Sequence, residues 1–181
     1  MKIVLQIFFI LTCALLFLSA CGESDVQQVQ PIAKETVDED GIHVFYSDFG
    51  YSLKYDPAIF YVLTDENNDT FGLWYDAVDA DLSVAINVER VRGYSVAEYT
   101  DIITAQVESG VWSVTEAEFG ADHKKATTVM YEEDTEAGTV YYAVTLAKDG
   151  TDILVVETVT YEGLSAEMNR MIREMLMTFE Y

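Results

Sequence analysis

Residues 65–76, DENNDTFGLWYD, place oxygen-bearing side chains at the spacing a hard cation uses. Asp65, Asn67 and Asp69 fall at loop positions 1, 3 and 5, and Asp76 falls at position 12. Calcium gathers about 6–8 oxygen ligands, and this is the order in which a calcium loop supplies them. Two letters oppose the match. Thr70 stands where the sharp turn wants glycine, and the flanks read as strands rather than helices. A polar turn joining two strands accounts for the same residues, because Asp and Asn bond their own backbone two positions on. The segment therefore carries two expectations, a calcium site at Asp65, Asn67, Asp69 and Asp76, or a plain hairpin turn.

Other chemistry is sparse. Nucleophilic catalysis needs a nucleophile, a base and a group that orients the base. The two histidines, His43 and His123, lie in no such motif. A zinc site would have to join them across the chain without CxxC or HExxH spacing. No GxxxxGK[ST] or GxGxxG loop is present to cradle phosphate. The 32 acidic residues guarantee accidental carboxylate pairs, so a pair by itself identifies no hydrolase. The expectation is that the chain is not an enzyme and carries no resident cofactor.

The amino-terminal segment bears on location. After Lys2, residues 3–20 are almost wholly apolar, broken only at Gln6, Thr12 and Ser19. A charged start, an apolar stretch and small residues before a boundary make an export signal, although the length also suits a membrane-spanning helix. Leu18-Ser19-Ala20-Cys21 resembles the lipobox of bacterial lipoproteins, an aliphatic residue and two small ones before a cysteine. That resemblance implies cleavage before Cys21, a diacylglyceryl group on its sulfur, and a lipid anchor on the outer face of the cell membrane, in the bacterial envelope. Cys13 would leave with the signal, so no disulfide would remain, and the domain would depend on its core.

The chain carries a net charge of −22, with 10 Lys and Arg against 32 Asp and Glu. This opposes nucleic-acid binding, which needs basic patches. It also opposes the protein body lying flat on anionic lipid. It suits solubility, a basic protein partner or metal ions.

Residues 22–41, GESDVQQVQPIAKETVDEDG, show no sustained period of 2 or 3.6 and read as an acidic tether. The expected organisation is a signal peptide over 1–20, a lipidated tether over 21–41 and a single domain over 42–181. Within the domain, alternation predicts strands over 43–48, 51–55, 60–63, 70–75 and 82–89, then a meander of strands over 124–133, 138–148 and 151–160. Asp149-Gly150 reads as a two-residue hairpin turn. The strand DILVVETV is apolar on both faces, so both faces of the sheet need cover. Two helices are expected to supply it. One is capped by Ser95-Val96-Ala97-Glu98, stapled by Tyr94 and Tyr99, and ended by Gly110. The other begins near Ser165 and aligns Met168, Met171, Ile172, Met175, Leu176 and Phe179 on one face.

This order of elements, opened by FGYSLKYDPAIFYVL, resembles the Mog1/PsbP-like fold of exported bacterial lipoproteins and photosystem II extrinsic proteins. The resemblance implies an α+β domain, an antiparallel β-sheet with helices covering both faces, and a binding or assembly role rather than catalysis. The leading functional expectation is thus a membrane-anchored interaction module. A small-ligand or calcium receptor and a carboxylate-based wall hydrolase stand as alternatives.

Overall fold

The computed structural model describes residues 34–73, 84–107 and 113–181, which belong to a compact unit spanning 32–181. Among the described residues ten strands form two sheets. The smaller sheet joins β1 (Lys34–Val37), β2 (His43–Tyr46) and β3 (Ser52–Tyr55) in that order. The larger contains β4 (Phe60–Thr64), β5 (Asp69–Leu73), β6 (Ala85–Arg92), β7 (Ser113–Phe119), β8 (Lys124–Thr135), β9 (Gly138–Asp149) and β10 (Asp152–Tyr161). Its spatial order is β4-β5-β6-β10-β9-β8-β7, and every neighbouring pair is antiparallel. Helix α1 runs over Val96–Gln106 and α2 over Ala166–Leu176.

The alternation read from sequence sets the core. Ile86 and Val88 point to one face of β6 and, with Val84 just before the strand, are buried. The central strand β10 is buried on both faces. Leu154 and Val156 pack in one cluster with Phe45 and Leu53 of the small sheet and with Ile172 and Met175 of α2. Ile153 and Val155 pack in another with Leu146, Tyr99 and Ile103. The described residues are therefore mostly antiparallel β with two helices. The fold departs from a single sheet covered by helices, because β1–β3 share the Leu154 side with α2. Those strands can cover that side because Phe45, Leu53 and Tyr55 alternate inward from a short, strongly patterned ribbon.

Two strands were not legible. β1 lies inside the span read as a tether, so ordered structure starts before residue 42. It is an edge strand whose Glu35, Thr36 and Val37 are exposed, and it buries too little to show a period. Edge strand β7 has the same character, with residues 114–118 exposed and only Phe119 buried.

Helix α1 begins as expected, with Glu98 N–H donating to Ser95 Oγ and Ser95 N–H donating back to the Glu98 carboxylate. Tyr94 and Tyr99 meet edge to face with ring centroids 5.9 Å apart. The helix ends at Gln106, and Gly110 lies outside the described residues. The β9–β10 turn is centred one residue later than the sequence suggested. Asp149 pairs with Asp152, leaving Gly150-Thr151 as the loop. Gly150 alone of the two has positive φ, at 60°, as expected for a turn with glycine at its first central position.

Candidate functional site

The turn that joins β2 to β3 shapes an acidic cavity. Ser47 N–H donates to Tyr51 C=O at 2.9 Å, and Gly50 N–H donates to Ser47 C=O at 3.1 Å. Gly50 sits at φ +80°, a conformation that side chains with a Cβ resist. Ser47 Oγ accepts from Phe49 N–H at 3.0 Å and donates to Asp69 Oδ2 at 2.5 Å. Tyr51 Oη donates to the same oxygen at 2.7 Å. Asp69 is only 3% exposed, yet it lines a cavity of about 250 Å³. Phe45 and Phe49 form apolar wall, and three exposed acidic residues, Asp48, Asp65 and Glu66, also line it.

Both donors to Asp69 reach the same oxygen, Oδ2. Burial raises the Asp69 pKa above its ordinary value, the Ser47 and Tyr51 bonds oppose that rise, and the charges of Asp48 and Asp65 add to it. The Tyr51 hydroxyl is pushed far up, first by burial and then by the Asp69 charge. It therefore stays a donor at any physiological pH. Among the described residues no Lys or Arg pairs with these four acids. The spans 74–83 and 108–112 contain no Lys or Arg at all. Four acidic residues without an ion-pair partner among the described residues make the cavity electronegative.

The proposed calcium ligands divide between different tasks. Asp65 Oδ1 accepts from the N–H groups of Asn67 at 2.6 Å and Asn68 at 3.0 Å, which makes it the cap of the β4–β5 hairpin. Asp69 stands in β5 and turns toward Ser47 and Tyr51. Asp76 lies outside the described residues, as do Cys21 and residues 1–33. Among the described residues no group of three or more His, Cys, Asp or Glu is arranged to hold a metal. The histidines sit apart from each other. His43 Nδ1 contacts Glu35 at 3.4 Å, and the exposed His123 contacts Glu118 at 3.1 Å.

A second polar group lies on the opposite side of the large sheet, beside α1. The pairing of β6, β10, β9 and β8 brings Asn87, Glu89, Glu157, Tyr142, Tyr131 and Glu133 to one face. Asn87 Nδ2 donates to Glu157 Oε2 at 3.0 Å, and Tyr99 Oη of α1 donates to Glu89 Oε1 at 3.3 Å. Tyr131 and Tyr142 stack with centroids 4.6 Å apart. Burial raises the pKa of Glu89 and of Glu157. Glu157 adds repulsion at Glu89, and Glu133 adds it at Glu157. Burial, then Glu133 and Glu157, push the Tyr142 hydroxyl up to about 12. Alternation over 82–89 places Asn87 and Glu89 opposite Val84, Ile86 and Val88, and α1 packs on the face that they share.

Raised carboxylate pKa values fix the sign of a pH effect. The folded state binds these protons more tightly than the unfolded state does, so stability falls as pH rises from about 4.5 through the folded values. Glu157→Gln retains an acceptor for Asn87 and removes the charge. Thermal unfolding of this variant at pH 7.5 should show a midpoint about 3–6 °C above wild type. The gain should shrink toward zero near pH 4.5. A lower midpoint at pH 7.5 would show that the carboxylate is stabilising.

Comparison with known proteins yields fold likeness only. No family model matches the chain, and no curated protein matches it. A crystal structure from Bacteroides thetaiotaomicron VPI-5482 shares its fold with a TM-score of 0.53 and 14% identity. The match covers 76% of this chain and 47% of that one, so this chain spans about half of that protein's length. The solution structure of cyanobacterial PsbP (CyanoP) from Synechocystis sp. PCC 6803 aligns over 90% of this chain and 98% of its own, with a TM-score of 0.47 and 11% identity.

Proposed function

We propose that this chain is an extracytoplasmic lipoprotein whose α+β domain is a binding module for a basic protein partner. A diacylglyceryl group on Cys21 holds it to the outer face of a bacterial cell membrane, and a Lys or Arg side chain of the partner enters the Asp69 cavity. The observation that carries the binding reading is a buried carboxylate, oriented by two hydroxyl donors, in an acid-lined cavity without a counter-ion among the described residues. The volume of about 250 Å³ lies just under the ~300–1,000 Å³ of small-molecule pockets. It suits one side chain better than a whole ligand. Phe45 and Phe49 can pack the methylene stem or face the cationic head. The anchor reading rests on the Leu18-Ser19-Ala20-Cys21 motif. Two acyl chains retain a protein on a bilayer where one binds only marginally. The Mog1/PsbP-like resemblance, with the binding or assembly role it implies, agrees with both.

Isothermal titration of the native chain in detergent with acetyl-Lys-Lys-Lys-amide tests the cavity, with the tri-alanine analogue and calcium chloride as separate arms. Saturable binding of the lysine peptide that weakens with added salt is expected. Heat with calcium alone would favour the metal-receptor reading, and heat with neither would remove the cavity as a site. The intact mass of the membrane-extracted chain tests the anchor. It should correspond to a chain starting at Cys21 with fatty acyl groups, and a mass retaining residues 1–20 would overturn this part.

A further inference from the structure

The cavity is held in shape from outside. Arg90 of β6 is partly buried beside it, with a side chain 13% exposed, and it is not among the residues that line the cavity. Its Nε–H donates to Phe49 C=O at 2.5 Å, and Nη2 lies 3.5 Å from Gly50 C=O. Its Nη1 pairs with Asp149 at 2.7 Å and reaches Asp152 at 3.7 Å, on either side of the β9–β10 turn. One guanidinium therefore ties the Ser47–Tyr51 turn to a hairpin from the far end of the chain. That turn carries the hydroxyl which Ser47 presents to Asp69, and Asp48 and Phe49 of the cavity lining. Asp48 and Phe49 also line a second, open cleft of about 590 Å³, where Arg90, Arg92, Asp149 and Asp152 lie. Arg92 differs from its neighbour. It is 83% exposed, and its ion pair is with Asp152 at 3.8 Å.

We infer that Arg90 is a positioning residue for the Asp69 site, acting through the Phe49 and Gly50 carbonyls to hold the Ser47 hydroxyl on Asp69. The inference rests on the cation-binding reading of that cavity. A planar fork can serve two carbonyls and a carboxylate at once, whereas the single ammonium of lysine cannot hold all three in place. If the turn relaxes, Asp69 loses the Ser47 donor that holds its pKa down, while burial and the Asp48 and Asp65 charges remain. Affinity and the protonation of Asp69 should then change together.

The test uses the native chain in detergent with three substitutions. Two readouts are taken, affinity for acetyl-Lys-Lys-Lys-amide and the titration of the Asp69 carboxyl carbon by NMR. Arg90→Lys should weaken binding about tenfold and move the Asp69 midpoint upward. Asp149→Asn, which loosens Arg90 without removing it, should produce a smaller change in the same direction. Arg92→Gln, in the same cleft without a bond to the turn, should leave both readouts at wild-type values. If Arg90→Lys lowers the thermal midpoint while the Asp69 midpoint stays fixed, the role is structural only and the inference fails. If it fails to fold, Asp149→Asn decides by the same criterion. If wild type does not bind the peptide, but Arg90→Lys still moves the Asp69 titration, the functional reading falls and the positioning role stands.

Discussion

Asp69→Asn should weaken binding of the lysine peptide by about 30-fold or more while raising the thermal midpoint of the domain. The two effects share one cause. Asp69 is 3% exposed and close to other acids, so its charge is costly in the folded state. Asparagine retains an oxygen for Ser47 and Tyr51 and removes that charge. The lost charge-assisted bond to an ammonium is worth about 2–3 kcal/mol, and each 1.4 kcal/mol is tenfold in affinity. A raised pKa means that the stability loss develops as pH rises above the ordinary value of 3.8. The gain in midpoint should therefore be present at pH 7 and vanish near pH 4. Calorimetry and thermal unfolding on the same sample check both. A variant that loses binding and also melts lower would point to a damaged turn, not to a removed charge. Sites that sacrifice stability for function behave in the predicted way.

Phe179→Ala should be the most damaging single change, costing about 3–5 kcal/mol of a total that is usually about 5–15 kcal/mol. Phe179 is fully buried just beyond α2. Its ring stacks on Tyr51 and packs on Phe119, each at 5.2 Å between centroids. Its carbonyl accepts from Ala121 N–H at 2.8 Å, and the next residue, Glu180, bridges to Ser52 of β3 through two backbone bonds of 2.9 Å. Gly120 permits this close approach. A Cβ there would lie 2.6 Å from the Phe179 oxygen, and φ is +75°. Because Tyr51 both stacks on Phe179 and donates to Asp69, the variant should also bind the lysine peptide more weakly where it remains folded. Urea unfolding gives the stability loss. Phe179→Leu, which refills much of the volume, should recover at least half of it.

The local patterns carried much of the fold. Alternation in residues 51–55 and 84–88, the Ser95 capping box and the doubly apolar strand 152–159 all describe chemistry within a few residues, and the structure bears them out. β1 and β7 were not legible because an exposed edge strand has no buried face to announce it. The second sheet was not legible because pairing partners are a long-range property. The candidate site was half legible. Asp65 and Asp69 stood out as oxygen donors, but their spacing suggested one loop. In the fold Asp65 caps its own turn, while Asp69 meets Ser47 and Tyr51, 22 and 18 residues earlier. Arg90 had no sequence signal, because its partners come from two distant turns.

The most direct test follows the Asp69 carboxyl carbon by NMR as a function of pH, in the native chain with and without acetyl-Lys-Lys-Lys-amide. A bound ammonium favours the ionised carboxylate, so the raised midpoint of the free protein should fall when peptide is added. An Asp69 midpoint that is the same with and without saturating peptide would contradict cation capture in this cavity.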